Sequence, residues 1–221
     1  MSTRSIPRSE WKEAAPPDAT RLVLAAHPQR LADALDHRLS AAVVSRLQGC
    51  PRLHDRIAPL LMQPQDDHAN DTCADDATTL ADRRAIFERL FRADLEQASL
   101  LAGAAWHALS LRQIIRGRDV ADLVAQIGQR AHAFGLRREG VAPALRSVAP
   151  GALAEQITRD GRACLVVWFS SFPPPMRQQL LVRLPPESAP PPESSEAQQK
   201  LALGLIDPVL SELDESMNVS E

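Results

Sequence analysis

The residues with chemical potential are six histidines, three cysteines and a dense acidic stretch, QPQDDHANDTCADDA, at positions 63–77. Metal or nucleophilic chemistry needs such groups at set spacings, because ligands and catalytic partners must converge on one point. The histidines form no HExxH, and no His–carboxylate or zinc-finger pattern. Cys50, Cys73 and Cys164 are odd in number and far apart, which suits neither a zinc knuckle nor a disulfide framework. DDHANDTCADD collects oxygen, nitrogen and sulfur donors, but it lacks the glycine and terminal glutamate of a calcium loop and reads as a solvated acidic loop. GxGxxG, GK[ST] and GxSxG are all absent. His107, beside Trp106 in an apolar run, reads as a hydrogen-bonded core residue rather than a base. The Arg83–Arg84 and Arg137–Arg138 pairs read as solvated or glutamate-paired helix faces. No catalytic, cofactor-binding or metal site is expected, and the chain reads as a non-enzyme.

The elements that carry these residues are helical. The chain has 221 residues, 44% of them hydrophobic, with no tyrosine and only 4% aromatics. Strands and single-strand nucleic-acid platforms both draw on aromatics, whereas the abundant Ala, Leu and Arg favour helices. The expectation is an all-α protein: one globular multi-helix domain with a flexible leader and an acidic loop. Its parts are a leader at 1–20, a helical domain at 21–185 containing the acidic loop 63–77, a Pro/Ser-rich linker at 186–199, and a short helix and tail at 200–221.

Periodicity fills in this plan. Pro28 sits at a first helical position, followed by Leu31, Leu35 and Leu39. Ser40 opens a helix that Gly49 ends, and Leu53, Ile57, Leu60 and Leu61 mark another that Pro59 kinks. From Thr78 or Thr79 a block runs through Ile86, Phe87, Leu90, Phe91 and Leu95. It continues with Leu101, Ala105, Trp106, Leu109 and Ile114 facing inward, and Gly117 as the stop. Gly103 is either a close helix contact or a break. A helix over 119–138 buries Val120, Leu123, Val124, Ile127, Ala131 and Phe134. The run CLVVWF (164–169) is the most apolar in the chain. Its phase with Leu153, Ile157 and Phe172 makes it the second half of a helix that begins near Gly151, rather than a strand. Pro173–Pro175 close that helix, and MRQQLLVRLP forms a shorter segment with Met176, Leu180 and Leu184 on one side. KLALGLIDPVLSEL gives a last helix, kinked or divided at Pro208.

Charge is segregated. Residues 78–185 carry fifteen arginines against nine acids, whereas residues 186–221 carry one lysine against eight acids. A basic middle between acidic flanks suggests contact with an acidic protein, or shielding of the basic face by the chain's own tail. The excess is too mild for a nucleic-acid footprint. With no apolar run of 18 residues and no signal-peptide core, the chain reads as cytosolic, without membrane insertion.

Four stretches resemble one family. HPQRLADAL (27–35), LLAGAAWHALSLRQIIRG (100–117), the helix at 119–138, and above all ITRDGRACLVVWFSSFPPPMRQQLLVRLP (157–185) are similar to segments of the SctK (YscK-like) proteins. These are accessory subunits of the cytoplasmic sorting platform in bacterial type III secretion systems, machines associated with virulence. The last stretch matches a C-terminal pattern of a glycine, an apolar helix with Trp, a proline break and a basic segment ending in Arg-Leu-Pro. The likeness spans about residues 25–213. It implies an all-helical adaptor without cofactor, peripheral to the inner-membrane apparatus. Such an adaptor bridges the cytoplasmic domain of the ring protein (SctD) and the pod protein (SctQ), near the stator (SctL) and the ATPase. Burial in the core is the favoured reading of the aromatic face of the CLVVWF helix; interfaces are anchored by Trp and Arg, so if the region docks, Trp168, Phe172, Arg177 and Arg183 are the partner-binding candidates. The competing functional reading is a helical DNA-binding regulator; no recognition helix is marked in the sequence.

Overall fold

The computed structural model describes residues 18–63, 80–140, 142, 149–188 and 196–218, and these are helical or in turns, with no strand among them. By their contacts they fall into two compact units, residues 1–63 and 64–221. The acidic stretch, Pro143, Thr78 and Thr79 lie outside the described residues.

The first unit contains α1 (Ala19–Ala25), α2 (Pro28–Leu35), α3 (Ala41–Gln48) and α4 (Pro51–Leu61). Each helix starts where local chemistry dictates. Asp18 accepts hydrogen bonds from the Thr20 and Arg21 amides at the start of α1. Pro28 and Pro51 occupy first-turn positions, where a missing N–H costs nothing. Leu22, Val23, Leu31, Val44, Ile57 and Leu61 form the core. Gln48, at the end of α3, donates through Nε2 to the Val23 and Ala26 carbonyls at 3.2 and 2.8 Å, satisfying the C-terminus of α1. His54, 1% exposed, places a ring nitrogen 2.7 Å from the Gln48 carbonyl. One expectation shifts here. Leu60 is exposed, and His54 and Ala58 join Ile57 and Leu61 on the buried face instead. The helix runs through Pro59 without interruption.

The second unit contains α5 (Leu80–Arg92), α6 (Leu95–Trp106), α7 (Ala108–Gln113), α8 (Gly117–Ile127), α9 (Gln129–Leu136), α10 (Pro150–Ser170), α11 (Pro174–Leu181), α12 (Glu196–Leu203) and α13 (Ile206–Asn218). Its centre is the crossing of α6 and α10. Helix α6 packs on α10, α9 and α13, and α10 in turn on α8, α11 and α12. A helix surrounded in this way must be apolar or small on every side. LEQASLLAGAAW meets that demand, with every residue from Leu101 to Ala105 buried. Two glycines set the separation. A Cβ on Gly103 would lie 1.9 Å from the Ile157 carbonyl oxygen, and one on Gly161 1.9 Å from that of Ser99. Gly103 is therefore a close helix contact and not a break.

Helix α10 follows the expected register. Leu153, Ile157, Cys164, Leu165, Trp168, Phe169 and Phe172 are all buried, and Pro174 begins α11. Elsewhere the breaks move. Asp94 caps α6 through the Glu96 and Gln97 amides, so the Ile86–Leu95 stripe spans two helices. Gly117 opens α8 rather than ending α7, which stops at Gln113. The expected helix over 119–138 is divided at Gly128, whose φ of +83° lies in the left-handed region that residues with a Cβ avoid. At the C-terminal end, the division falls at Gly204–Leu205, and Pro208 is tolerated in the first turn of α13. Residues 196–199, expected to be linker, belong to α12.

Candidate functional site

His107 is committed to the fold. His107, at the junction of α6 and α7, is 3% exposed, and its Nε2 lies 2.7 Å from Oδ2 of Asp160 on α10. Arg159 Nε donates to the other Asp160 oxygen at 3.0 Å. Burial pushes the Asp160 carboxyl toward neutrality, but the hydrogen bonds from His107 and Arg159 outweigh it and hold its pKa below the usual 3.8. An ionised carboxylate only accepts, so Nε2 carries the proton of this contact. One turn along α10, burial and the Asp160 charge push the Cys164 thiol up to about 12. A thiol so raised stays protonated at neutral pH and is no nucleophile. The His107–Asp160 pair instead ties α10 to the α6–α7 junction, one turn from the Gly103–Ile157 contact. Among the described residues no group of three or more His, Cys, Asp or Glu side chains could hold a metal.

Of the four partner-binding candidates, two are core. Trp168 is 0% exposed and donates its Nε1 hydrogen to the Ala202 carbonyl at 2.6 Å, fastening α12 to α10. Phe172 is 2% exposed, with its ring edge-on to Phe87 at 6.1 Å between centroids. Arg183, just past α11, donates to the Leu90 and Ala93 carbonyls, both at 2.8 Å, and its guanidinium stacks over Phe91 at 5.2 Å. It closes the C-terminus of α5, where the helix dipole favours a cation. Arg177 is half-buried on α11. The Trp–Pro–Arg-Leu-Pro stretch thus builds the interior of the second unit.

The acidic C-terminal helix covers part of the basic middle. Asp214 on α13 accepts from Arg89 on α5 at 2.6 Å. Arg137 bonds the Glu212 carboxylate at 2.8 Å, and Arg130 reaches the backbone carbonyl of the same residue. Val209, Leu210 and Leu213 of α13 are buried beneath these pairs. Of the two consequences drawn from charge segregation, shielding by the chain's own tail is realised at these arginines.

Large apolar side chains are exposed at several places, among them Leu24, Val43, Leu60 and Leu201, and three more lie on and after α7 and on α9. Leu109 on α7 is 40% exposed, contrary to its expected inward position, Leu136 on α9 is 38% exposed, and Ile115 between α7 and α8 is 85% exposed. The α7 and α9 segments that carry Leu109 and Leu136 are joined by an arginine. Arg112 Nη2 donates to the Leu136 and Arg138 carbonyls, capping α9, and Gly140 lies against Leu109. Arg116 and Arg118 are exposed at the N-terminus of α8, where no side chain caps the helix. Their guanidinium groups make no hydrogen bond or ion pair among the described residues. The sequence signal for the exposed Ile115 is the doublet Ile114–Ile115 inside QIIRGR, an apolar pair followed at once by a helix break. A separate open groove of about 500 Å³ lies along α10, where Arg159 and Arg162 are offset by Glu155 and Glu187.

Fold and site together define a protein whose described residues are helical, with His107, Asp160 and Cys164 held in the packing of the second unit. Among known proteins, the nodulation protein NolU of Rhizobium fredii is 39% identical over 174 residues, covering 78% of this chain and 71% of that protein. NolU of Sinorhizobium fredii (strain NBRC 101917 / NGR234) is 41% identical over 155 residues, covering 70% and 68% respectively. The chain belongs to the NolU family of nodulation proteins. No protein-family profile matches it, and no solved structure does.

Proposed function

We propose that the chain is a non-enzymatic adaptor of the cytoplasmic sorting platform of a bacterial type III secretion system. It links the cytoplasmic domain of the inner-membrane ring protein (SctD-like) to the pod protein (SctQ-like), next to the stator and ATPase, and it works at the cytoplasmic side of the inner membrane. The observation that carries this reading is the resemblance of residues 157–185 to SctK proteins. The stretch comprises most of α10, all of α11 and the turn that carries Arg183. Four further points support it. Helices account for all the regular structure of the described residues. No helix among them is long and apolar enough to cross a membrane. The His107, Asp160 and Cys164 side chains are locked in the packing. Relatives named for nodulation fit a machine that acts between a bacterium and its host.

The test is biochemical and genetic together. The purified full chain is titrated calorimetrically against the pod protein and the ring cytoplasmic domain from the same genome. The gene is then deleted and secretion assayed. Binding to at least one partner and loss of secretion on deletion are expected. Binding to neither partner refutes the adaptor role.

A further inference from the structure

We propose that α13 is a hinged internal occupant: it swings away at Gly204–Leu205 and frees a basic seat with an apolar floor, on α5, α6 and α9, for an acidic amphipathic helix of a partner protein. That the partner is one of the two proteins the chain links rests on the adaptor reading; the seat itself does not.

Three arginines from two elements converge on α13. Arg89 on α5 donates through Nε and Nη2 to Asp214 Oδ2 at 3.1 and 2.6 Å. From α9 and its C-terminal end, Arg137 Nη2 bonds Glu212 Oε2 at 2.8 Å, and Arg130 Nε lies 3.5 Å from Glu212 Oε1. Val209, Leu210 and Leu213 are buried, with the helix lying on α6. The seat therefore reads a pattern: two adjacent apolar residues, then a glutamate, an apolar residue and an aspartate, as in Val209-Leu210-Ser211-Glu212-Leu213-Asp214. Its preference for acids is seen in contacts between atoms, not inferred from a net charge.

Helix α13 is also the element placed to leave. It buries one face, while Ser211, Asp214 and Glu215 are exposed on the other. By contrast α6, on which it rests, is buried from Leu101 to Ala105. The ion pairs that hold α13 reach solvent, with the Arg137 and Asp214 side chains 61% and 52% exposed, so salt weakens them. Elements held this way open locally before the core that supports them. The hinge is at hand: Gly204, which has no Cβ to restrict its dihedrals, separates α12 from α13. Helix α12 stays behind, fastened to α10 by the Trp168 hydrogen bond to Ala202.

A partner helix with the same pattern competes with α13 for the seat. The internal helix has the advantage of a high effective concentration. Only the undocked fraction of the chain is competent to bind, and the apparent affinity for the partner falls by that fraction. Loosening α13 therefore tightens partner binding, whereas removing the arginines abolishes it. The charges speed encounter and select the partner, and the apolar floor supplies the affinity.

The experiment uses the full chain as wild type and as two charge-reversed forms, Glu212→Arg/Asp214→Arg and Arg89→Glu/Arg137→Glu. Both break the same ion pairs and loosen α13 alike, but only the first keeps the seat basic. Circular dichroism checks that each form remains helical. The probe is a fluorescein-labelled synthetic peptide with the wild-type sequence of residues 205–218, read by anisotropy. It should bind Glu212→Arg/Asp214→Arg about tenfold or more tightly than wild type, and bind Arg89→Glu/Arg137→Glu no better than wild type. Hydrogen exchange on the wild type needs no variant: the amides of α13 should exchange faster than those of α6 and α10, and faster still in about 0.5 M salt. Titrated against the pod protein and the ring cytoplasmic domain, the three forms should follow the peptide order for one of the two. Equal peptide binding by the two variants, or exchange of α13 only together with α6 and α10, overturns the hinged seat and leaves the adaptor reading standing. The expected peptide order with no form binding either protein upholds the seat and overturns the adaptor reading. Equal binding of all three forms to a partner protein overturns its use of this seat.

Discussion

Gly161→Ala tests the α6–α10 crossing on which the second unit is built. The added methyl would lie 1.9 Å from the Ser99 carbonyl oxygen and 2.8 Å from its carbon. Both are backbone atoms of a buried helix and cannot rotate away. Restoring ordinary contact near 3.4 Å requires the axes to part by about 1.5 Å, and a gap of about 1 Å already forfeits up to half of each dispersion contact along the seam. Overpacking of this kind costs about 1–3 kcal/mol or more, and the wide backbone contact puts Gly161 at the upper end. The higher helix propensity of alanine returns about 1 kcal/mol. The net loss is about 2 kcal/mol, a fall in Tm of about 4–8 °C for a chain of this size. Gly151→Ala, on the same helix, meets only the Gln126 side chain at 3.7 Å and should be neutral or stabilising by less than about 1 kcal/mol. Urea denaturation followed by far-UV circular dichroism reads both. Adding Gly103→Ala to Gly161→Ala should cost less than the sum of the two, because one separation of the helices accommodates both methyls. If Gly161→Ala stabilises as Gly151→Ala does, the crossing is not closed by these glycines and the reasoning fails.

Other expectations follow from single contacts. Arg183→Met strands the Leu90 and Ala93 carbonyls and removes the stack on Phe91; it should destabilise the protein by about 1–3 kcal/mol in the same assay. Arg183→Lys should recover only part of that, because an ammonium cannot match the planar fork. Asp160 has a folded pKa below 3.8, so its contribution to stability is present above that value and is lost as pH falls through and below it. Stability measured from pH about 6 to about 2.5 should therefore decline less steeply in Asp160→Asn than in the wild type. The Cys164 thiol, raised to about 12, should resist iodoacetamide at neutral pH in the native protein and react once urea unfolds it, read by peptide mass spectrometry; native labelling would contradict its placement.

Helix α10 was legible from its residues because every requirement agreed. The apolar positions keep one 3.6-residue phase from Leu153 to Phe172, proline starts it and proline ends it. Pro28 marks a helix start in the same local way, whereas the Asp94 cap was hidden because the apolar period runs straight through it from Ile86 to Leu95. Glycine was less informative, since it serves three purposes here: Gly103 a crossing, Gly117 a helix start, and Gly128 a positive-φ break. Nothing in its immediate neighbours says which. Leu109 carries the same period as the buried leucines yet faces outward, because α6 ends at Trp106 and the phase restarts in α7.

By itself, the sequence determined an all-helical chain, its strongest helix, the commitment of His107 to the interior, and a basic middle beside an acidic tail. Each is a local or compositional property, read from a period, a cap or a count. Only the tertiary structure decided that Trp168 and Phe172 are core, that Arg183 closes a helix some 90 residues earlier in the chain, and that Glu212 and Asp214 are spent on Arg130, Arg137 and Arg89. The same side chains would have suited a partner equally well. An aromatic ring or a guanidinium carries the same chemistry toward its own fold and toward another protein. Which of the two it meets is set by contacts between segments far apart in sequence, and those exist only once the helices have packed.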